Sequence, residues 1–261
     1  MFDIHYHLLF GVDDGPRTVE GSMELAEASI AEGVTHIVCT PHASDRYQLQ
    51  PEVNKERVNL LNVRLGGRLT LGLGCDVHLS FENIEDVLRN PSKYTINGLQ
   101  YMLIEFPDFG ISPFISERLF QFRANGLIPI ITHPERNHEL VANPNRMLEW
   151  LQCGCLIQLT AASLTGRFGK QAQAMSHELI KKNWVHFIAS DAHNLGGRPP
   201  AMSPAYRLLM QRYGAETADR LCIQNPRAAF YGDALPVQSE YSGVNGDAQS
   251  RRSFFSRLFK R

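Results

Sequence analysis

An α/β fold built on parallel strands is what this sequence predicts. Apolar runs of four to seven residues alternate seven times with segments of helical pattern, the order expected of βαβ units and not of a sandwich. These runs close, one after another, on His or Asp or beside a Glu, and parallel folds gather such side chains at the carboxyl ends of their strands. A length of 261 residues suits one large domain, because α/β barrels fill that length without dividing.

The first run is Phe2-Asp3-Ile4-His5-Tyr6-His7. As a regular strand it puts Asp3, His5 and His7 on one face and Phe2, Ile4 and Tyr6 on the other. A turn-rich loop, Gly11 to Pro16, leads to a helix over 18–30 with Thr18 as its cap and Gly33 as its stop. Further strands are expected over 36–42, 69–76, 101–106, 128–133, 155–159 and 185–191. Helices are expected over 51–65, 113–125, 144–153, 170–182 and 201–213, and 82–90 reads as a polar segment.

The main domain is expected over 1–234, followed by a flexible linker over 235–250 that lacks a periodic apolar face, and a basic tail over 251–261. In the tail, Phe255, Leu258 and Phe259 can share a helical face among five positive residues. A solvated tail is the preferred reading, with weak peripheral contact at an anionic membrane or a protein partner as the alternative.

Composition narrows the function classes. A hydrophobic content of 43%, 20% charged residues and a net charge of -1 describe an ordinary soluble protein. The near-neutral charge gives no electrostatic footprint for nucleic acid. No apolar segment reaches the roughly 18 residues of a membrane span, and the N-terminus has no secretory pattern. The expected location is the cytoplasm, with the inner membrane surface as a peripheral alternative. The five cysteines fit small buried hydrophobes in a reducing compartment. Cys153-Gly-Cys155 lacks the second cysteine pair of a zinc knuckle.

The strand endings carry the chemistry. His42, Asp76, His133 and Asp191 close apolar runs, His193 follows Asp191 by two positions, and Glu105 sits next to the end of its own run. Singly, each has a plainer explanation as a hydrogen-bonded or capping residue. Together with His5, His7 and Asp14 they make nine candidate ligands. Histidines mixed with carboxylates, without thiolates, point to zinc, manganese or iron, in a cluster of two or three ions. Clustered ions lower the pKa of bound water from about 15.7 towards 7 and clamp the oxygens of an in-line displacement. Phosphate-ester hydrolysis is the chemistry that suits them. Arg136, after His133-Pro-Glu, and Arg198, in Gly-Gly-Arg-Pro-Pro, follow ligand-bearing strands and are suited to hold phosphate oxygens.

The motifs Asp3-Ile-His5-Tyr-His7, Asp13-Asp14-Gly-Pro16, Thr40-Pro-His42, Ile104-Glu105-Phe106, Thr132-His133-Pro-Glu-Arg136, Asp191-Ala-His193-Asn194 and Arg198-Pro-Pro200 resemble the polymerase and histidinol phosphatase (PHP) superfamily. Within it, they are most similar to the bacterial CpsB-like protein-tyrosine phosphatases encoded with capsular and exopolysaccharide genes. The resemblance runs from Met1 to about Tyr231. It implies a distorted TIM-like (β/α)7 barrel with its metal site at the C-terminal ends of the strands, and three divalent ions, manganese or iron ahead of zinc. It implies hydrolysis of phosphotyrosine by metal-bound hydroxide. The implied ligands are His5, His7, Asp14, His42, Asp76, Glu105, His133, Asp191 and His193, with Arg136 and Arg198 gripping the phosphate. The implied partner is a membrane-associated tyrosine kinase, or polysaccharide co-polymerase, with a tyrosine-rich tail.

One position departs from that pattern. Where the family carries a bridging glutamate after a Gly-Gly turn, this chain has Gly74-Cys75-Asp76, one methylene shorter, with His78 nearby as a substitute ligand. Two rival readings stand beside the phosphatase: a small-molecule phosphomonoesterase such as histidinol phosphatase, and a kinase-binding module with structural metals.

Overall fold

The computed structural model describes residues 1–79, 81–107, 110–236 and 241. The expected tail over 251–261 and most of the expected linker lie outside the described residues.

Among the described residues nine strands form, all paired in parallel: β1 (Phe2–Tyr6), β2 (His36–Cys39), β3 (His42–Ala43), β4 (Thr70–Leu73), β5 (Asp76–His78), β6 (Tyr101–Glu105), β7 (Ile128–Thr132), β8 (Leu156–Thr160) and β9 (Phe187–Ala189). They lie in two sheets, ordered β1-β2-β4 and β3-β5-β6-β7-β8-β9. The two expected strands over 36–42 and 69–76 are each broken, at Thr40-Pro41 and at Gly74-Cys75. Pro41 has no N–H to give a ladder. The two breaks face each other, and backbone bonds from Gly74 to Cys39 and from Asp76 to Pro41 carry the pairing across them. At the far edge, Asp191 N–H donates to the carbonyl of His5 at 2.9 Å and His7 N–H to that of Ala192 at 3.0 Å. The residues after β9 therefore lie alongside β1.

Helices α1 (Val19–Ala31), α2 (Pro51–Leu65), α3 (Phe81–Arg89), α4 (Ile115–Ala124), α5 (His138–Ala142), α6 (Arg146–Gln152), α7 (Ala161–Leu164) and α8 (Gly169–Lys181) connect the strands, and α9 (Met202–Tyr213), α10 (Ala215–Asp219) and α11 (Asn225–Tyr231) follow β9. Thr18 caps α1 through its side chain, as its position predicts. The polar stretch over 82–90 is the helix α3, and residues 215–231 are helical as well.

The strand faces feed two apolar clusters. A smaller one gathers Phe2, Ile4, Val38, Leu103, Ile130, Leu156 and Phe187, with Phe230 of α11 against it. A larger one takes alternate strand residues such as Met102, Ile104, Ile131, Ile157 and Ile188 against helix residues including Leu25, Leu61, Leu119, Trp150 and Leu179. Strands buried on both faces read as continuous apolar runs, which is the pattern of parallel sheets.

β1 departs from simple alternation. Asp3 pairs with Ile37 and Tyr6 with Cys39, so three steps on β1 match two on β2. This is a bulge, and the extra residue reverses parity. Ile4 stays in the smaller cluster while Tyr6 turns to the larger one and bonds Ser29 of α1. Leu235 and Tyr241, from the stretch expected to be a linker, pack against the two clusters.

Candidate metal centre

Most candidate side chains sit at the carboxyl end of a strand or in the loop beyond it, while His42 and Asp76 open the short strands β3 and β5 just past the breaks that end β2 and β4. β1 brings His5 and His7, β3 His42, β5 Asp76 and His78, and β6 Glu105, while His133 follows β7 and Asp191 and His193 follow β9. Asp14 comes from the loop after β1. That loop folds back tightly enough that a Cβ at Gly15 would stand 2.4 Å from the His7 carbonyl oxygen. Only glycine fits this approach.

The donors interlock. His5 Nε2 lies 3.4 Å from Asp76 Oδ2 and from Asp191 Oδ1, and His7 Nε2 lies 3.4 Å from Asp191 Oδ1. His42 faces Asp76 at 3.3 Å and Glu105 at 3.5 Å through Nδ1, and Asp14 at 3.4 Å through Nε2. His193 reaches Asp14 at 3.3 Å and His133 reaches Glu105 at 3.5 Å. Among the described residues, four overlapping groups each hold ligand atoms within 4.8 Å of one another: His7, Asp14, His42 and His193; His5, His7 and Asp76; His42, His78 and Glu105; Asp76, Glu105 and His133. Asp76 and His78 both take part, in different groups. Asp191 belongs to none of the four groups but touches the imidazoles of two.

Residues behind these donors aim them. Asp13 Oδ2 accepts from His7 Nδ1 at 2.8 Å, and Gln158 Oε1 from His5 Nδ1 at 2.9 Å, leaving both Nε2 atoms toward the centre. Buried Glu135 accepts from Thr160 N–H and Ser163 Oγ, fixing the turn that carries Arg136. Arg136 and Arg198 both donate to Asp191 Oδ2, Arg198 at 2.5 Å. Phe168 lies under the Arg136 guanidinium, 4.5 Å from ring centroid to Cζ. Tyr47 stacks on His42 at 5.8 Å. Beside Arg136 a cavity of about 310 Å³ opens between Glu105, Phe106, His133, Asn137 and His138.

Sequence reading did not single out Asp13, Gln158, Glu135, Tyr47 or Phe168 as site residues. Asp13 and Glu135 stand inside motifs already marked, and Gln158 is the one amide in a mostly apolar strand, so those three left a signal. Tyr47 and Phe168 left none.

The charges are strongly coupled. Burial opposes protonation of His5, yet Asp76 and Asp191 outweigh it and push this imidazole up to about 9. Burial likewise opposes His42, and Asp14 and Asp76 push it up to about 11. Burial and the neighbouring His7 hold His193 down at about 4. The two carboxylates of β5 and β6 are driven apart. Burial and Asp76 raise Glu105, while His5 and His42 hold Asp76 well below the usual range despite its burial.

Both carboxylate oxygens of Asp76, Oδ1 of Asp191 and Nε2 of His193 are buried without a hydrogen bond. Buried polar atoms are rarely left so, and an unpaired buried carboxylate is expensive. Imidazole and carboxylate donors that converge, buried and unsatisfied, match the coordination chemistry of a divalent cation.

Parallel strands whose carboxyl ends hold such a donor set define a metalloenzyme-like α/β protein. The chain belongs to the capsular polysaccharide synthesis CpsB/CapC family, whose model matches residues 1–231. It is similar to the tyrosine-protein phosphatase YwqE of Bacillus subtilis, 34% identical over 220 residues, 83% of this chain and 86% of that protein. To the tyrosine-protein phosphatase CpsB of Streptococcus pneumoniae it is 34% identical over 237 residues, 87% of this chain and 97% of that protein. Among solved structures, one from the work on YwqE of B. subtilis and CpsB of S. pneumoniae, described there as unique metal-dependent tyrosine phosphatases, matches with a TM-score of 0.87 at 31% identity. That match covers 94% of this chain and 100% of the other. The phosphotriesterase homology protein of Escherichia coli shares the fold at a TM-score of 0.58 and 12% identity, over 88% of this chain and 98% of its own.

Proposed function

We propose that this chain is a metal-dependent protein-tyrosine phosphatase, a phosphoric monoester hydrolase acting on phosphotyrosine. The observation that carries the reading is the buried, unsatisfied donor set of Asp76, Asp191 and His193 within a ring of imidazoles. His5, His7, Asp14, His42, Asp76, Glu105, His133, Asp191 and His193 would hold three divalent cations, manganese or iron ahead of zinc. Such cations, when bound, polarise a phosphoryl oxygen, lower the pKa of water and offset the charge of a leaving phenolate.

The remaining work falls to the chain's own residues. Arg136 and Arg198 converge from two loops on one carboxylate oxygen at the rim, which supports a role in gripping phosphoryl oxygens through paired N–H bonds. Phe168 holds the Arg136 guanidinium flat from below. Asp13 and Gln158 keep His7 and His5 in the tautomer that turns Nε2 inward. The cavity beside Arg136 has room for an aromatic side chain, within the usual size of ligand pockets.

The family's part in capsule synthesis and the names of its members support a substrate class: the phosphorylated tyrosines of a kinase or co-polymerase that regulates polysaccharide export. The fold reading extends to a distorted (β/α)7 barrel, supported by the backbone bonds that join β1 to the residues after β9. The proposed organisation is a catalytic domain over 1–234, a linker and a basic tail, with the enzyme in the cytoplasm and the tail making at most peripheral contact with a membrane. Among the described residues no helix is long and apolar enough to cross one.

The test is phosphate release by metal-stripped protein titrated with manganese, iron and zinc, using a phosphotyrosyl peptide and histidinol phosphate in parallel. Metal-dependent turnover favouring the peptide is expected. Better turnover of histidinol phosphate would move the assignment to a small-molecule phosphatase. Peptide binding without release would make the protein a docking module.

A further inference from the structure

At the opposite ends of the strands from the metal-ligand set, a second chemical feature stands where α6 gives way to β8. Cys153 is the C-cap of α6, Gly154 turns the chain with φ of +88°, and Cys155 precedes β8. Gly154 N–H donates to Leu151 O at 3.0 Å and Cys155 N–H to Trp150 O at 2.9 Å. This turn folds the two side chains together, and their Sγ atoms lie 3.7 Å apart. Cys153 is half-buried and Cys155 is buried beneath it.

One cation stands beside the pair, and the Cys153 S–H donates to the Trp150 carbonyl at 3.1 Å. Arg123, from α4, donates to the carbonyls of Cys153 and Leu127. A Cβ on Gly154 would stand 3.0 Å from the Arg123 Nε, so both the positive φ and the packing call for glycine. The Cys155 S–H beside it draws the Cys153 thiol down, with help from Arg123, while the partner thiol is held up. The other three cysteines, Cys39, Cys75 and Cys222, are fully buried, and burial pushes their thiols up. A low, reachable thiol next to a higher, buried one is the arrangement of an attacking and a resolving cysteine.

We propose that Cys153 and Cys155 form a redox-active dithiol, a thiol–disulfide exchange site separate from the phosphatase centre, whose reaction partner is a low-molecular-weight disulfide such as glutathione disulfide. The Cys153 thiolate attacks one sulfur of that disulfide. The S–S bond breaks, one glutathione leaves as thiolate, and a mixed disulfide forms on Cys153. Cys155 then loses its proton, attacks the Cys153 sulfur and expels the second glutathione thiolate. In balance, two protein thiols are oxidised to one disulfide and one glutathione disulfide is reduced to two glutathiones. Closing the bond brings the sulfurs from 3.7 Å to about 2.05 Å.

The test uses full-length protein, oxidised with glutathione disulfide, quenched in acid, alkylated and digested with trypsin. Arg146 and Arg167 bound one peptide that holds both cysteines. The expected product is that peptide two hydrogens lighter and unalkylated, with Cys39, Cys75 and Cys222 still free. In Cys155→Ser, the same peptide is expected to keep one glutathione on Cys153. The proposal is overturned if both thiols remain alkylatable, if wild-type protein keeps a stable glutathione on Cys153, or if the bond forms between two chains. If the variant fails to fold, the wild-type peptide decides alone.

Discussion

Asp13 Oδ2 accepts a hydrogen bond from His7 Nδ1 at 2.8 Å, and the same carboxylate bonds the backbone N–H of Gly15 and of His42. One carboxylate thus fixes the tautomer of one candidate ligand and the backbone of another. Its burial opposes ionisation, and His7 overcomes that, holding Asp13 below the ordinary carboxylate range.

Asp13→Ala is accordingly expected to weaken metal affinity about 10- to 100-fold, as for other partners behind a metal-bound histidine. Titration calorimetry on stripped protein would measure it, with thermal unfolding as the control for folding. Unchanged affinity would mean that the loop does not position His7.

Asp76 enters two of the donor groups and His78 one. Elemental analysis of reloaded protein should therefore show a larger loss of metal in Asp76→Ala than in His78→Ala. The opposite order would hand the bridging position to His78, despite the short contact that His78 makes with Glu105 at 2.6 Å.

Arg136→Lys and Arg198→Lys keep the charge and lose the planar fork. Each is expected to lower kcat/KM for phosphotyrosyl peptide, approaching the roughly 10²- to 10³-fold loss typical of removing one stabilising donor, with metal content unchanged. Lysine variants as active as wild type would confine the arginines to pairing with Asp191.

His186 is buried, accepts from Ile157 N–H at 3.1 Å, and lies against Tyr241. Burial and then Arg220 hold it down at about 3. Its unfolded value is near 6.5, so above that pH both states are neutral and its contribution is complete. As pH falls from about 6.5 towards 3, the unfolded chain takes a proton that the folded one refuses, and stability drops by about 1.4 kcal/mol per pH unit from this group. Urea unfolding at stepped pH should show that slope reduced in His186→Gln; equal slopes in both proteins would remove His186 as the cause.

Much of this molecule is legible in its sequence because parallel strands buried on both faces announce themselves as apolar runs, and because their ends carry His, Asp and Glu. His5, His7, Glu105, His133, Asp191 and His193 come to the centre from those ends or the residues just past them, His42 and Asp76 from the starts of two short strands, and Asp14 from a loop. What was not legible has physical causes. The bulge in β1 shifts parity through pairing with β2, a long-range register that alternation along one run does not encode. In α3, Val87 is buried within a charged stretch, so composition hid its apolar side. Gln158 and Asp13 act through imidazoles distant in sequence or across a turn, and Tyr47 and Phe168 act by ring contacts that no spacing predicts.

Two positions just past strand ends, His133 and Asp191, hold φ of +33° and +54°. Such conformations in residues other than glycine cost on the order of 1–3 kcal/mol each. They turn the chain sharply at the point where a donor must face the centre. A screen that selects this protein for heat resistance alone should therefore drift toward glycine or asparagine at both sites, gaining robustness while erasing the enzyme. Variant libraries meant to harden it would need those two codons frozen.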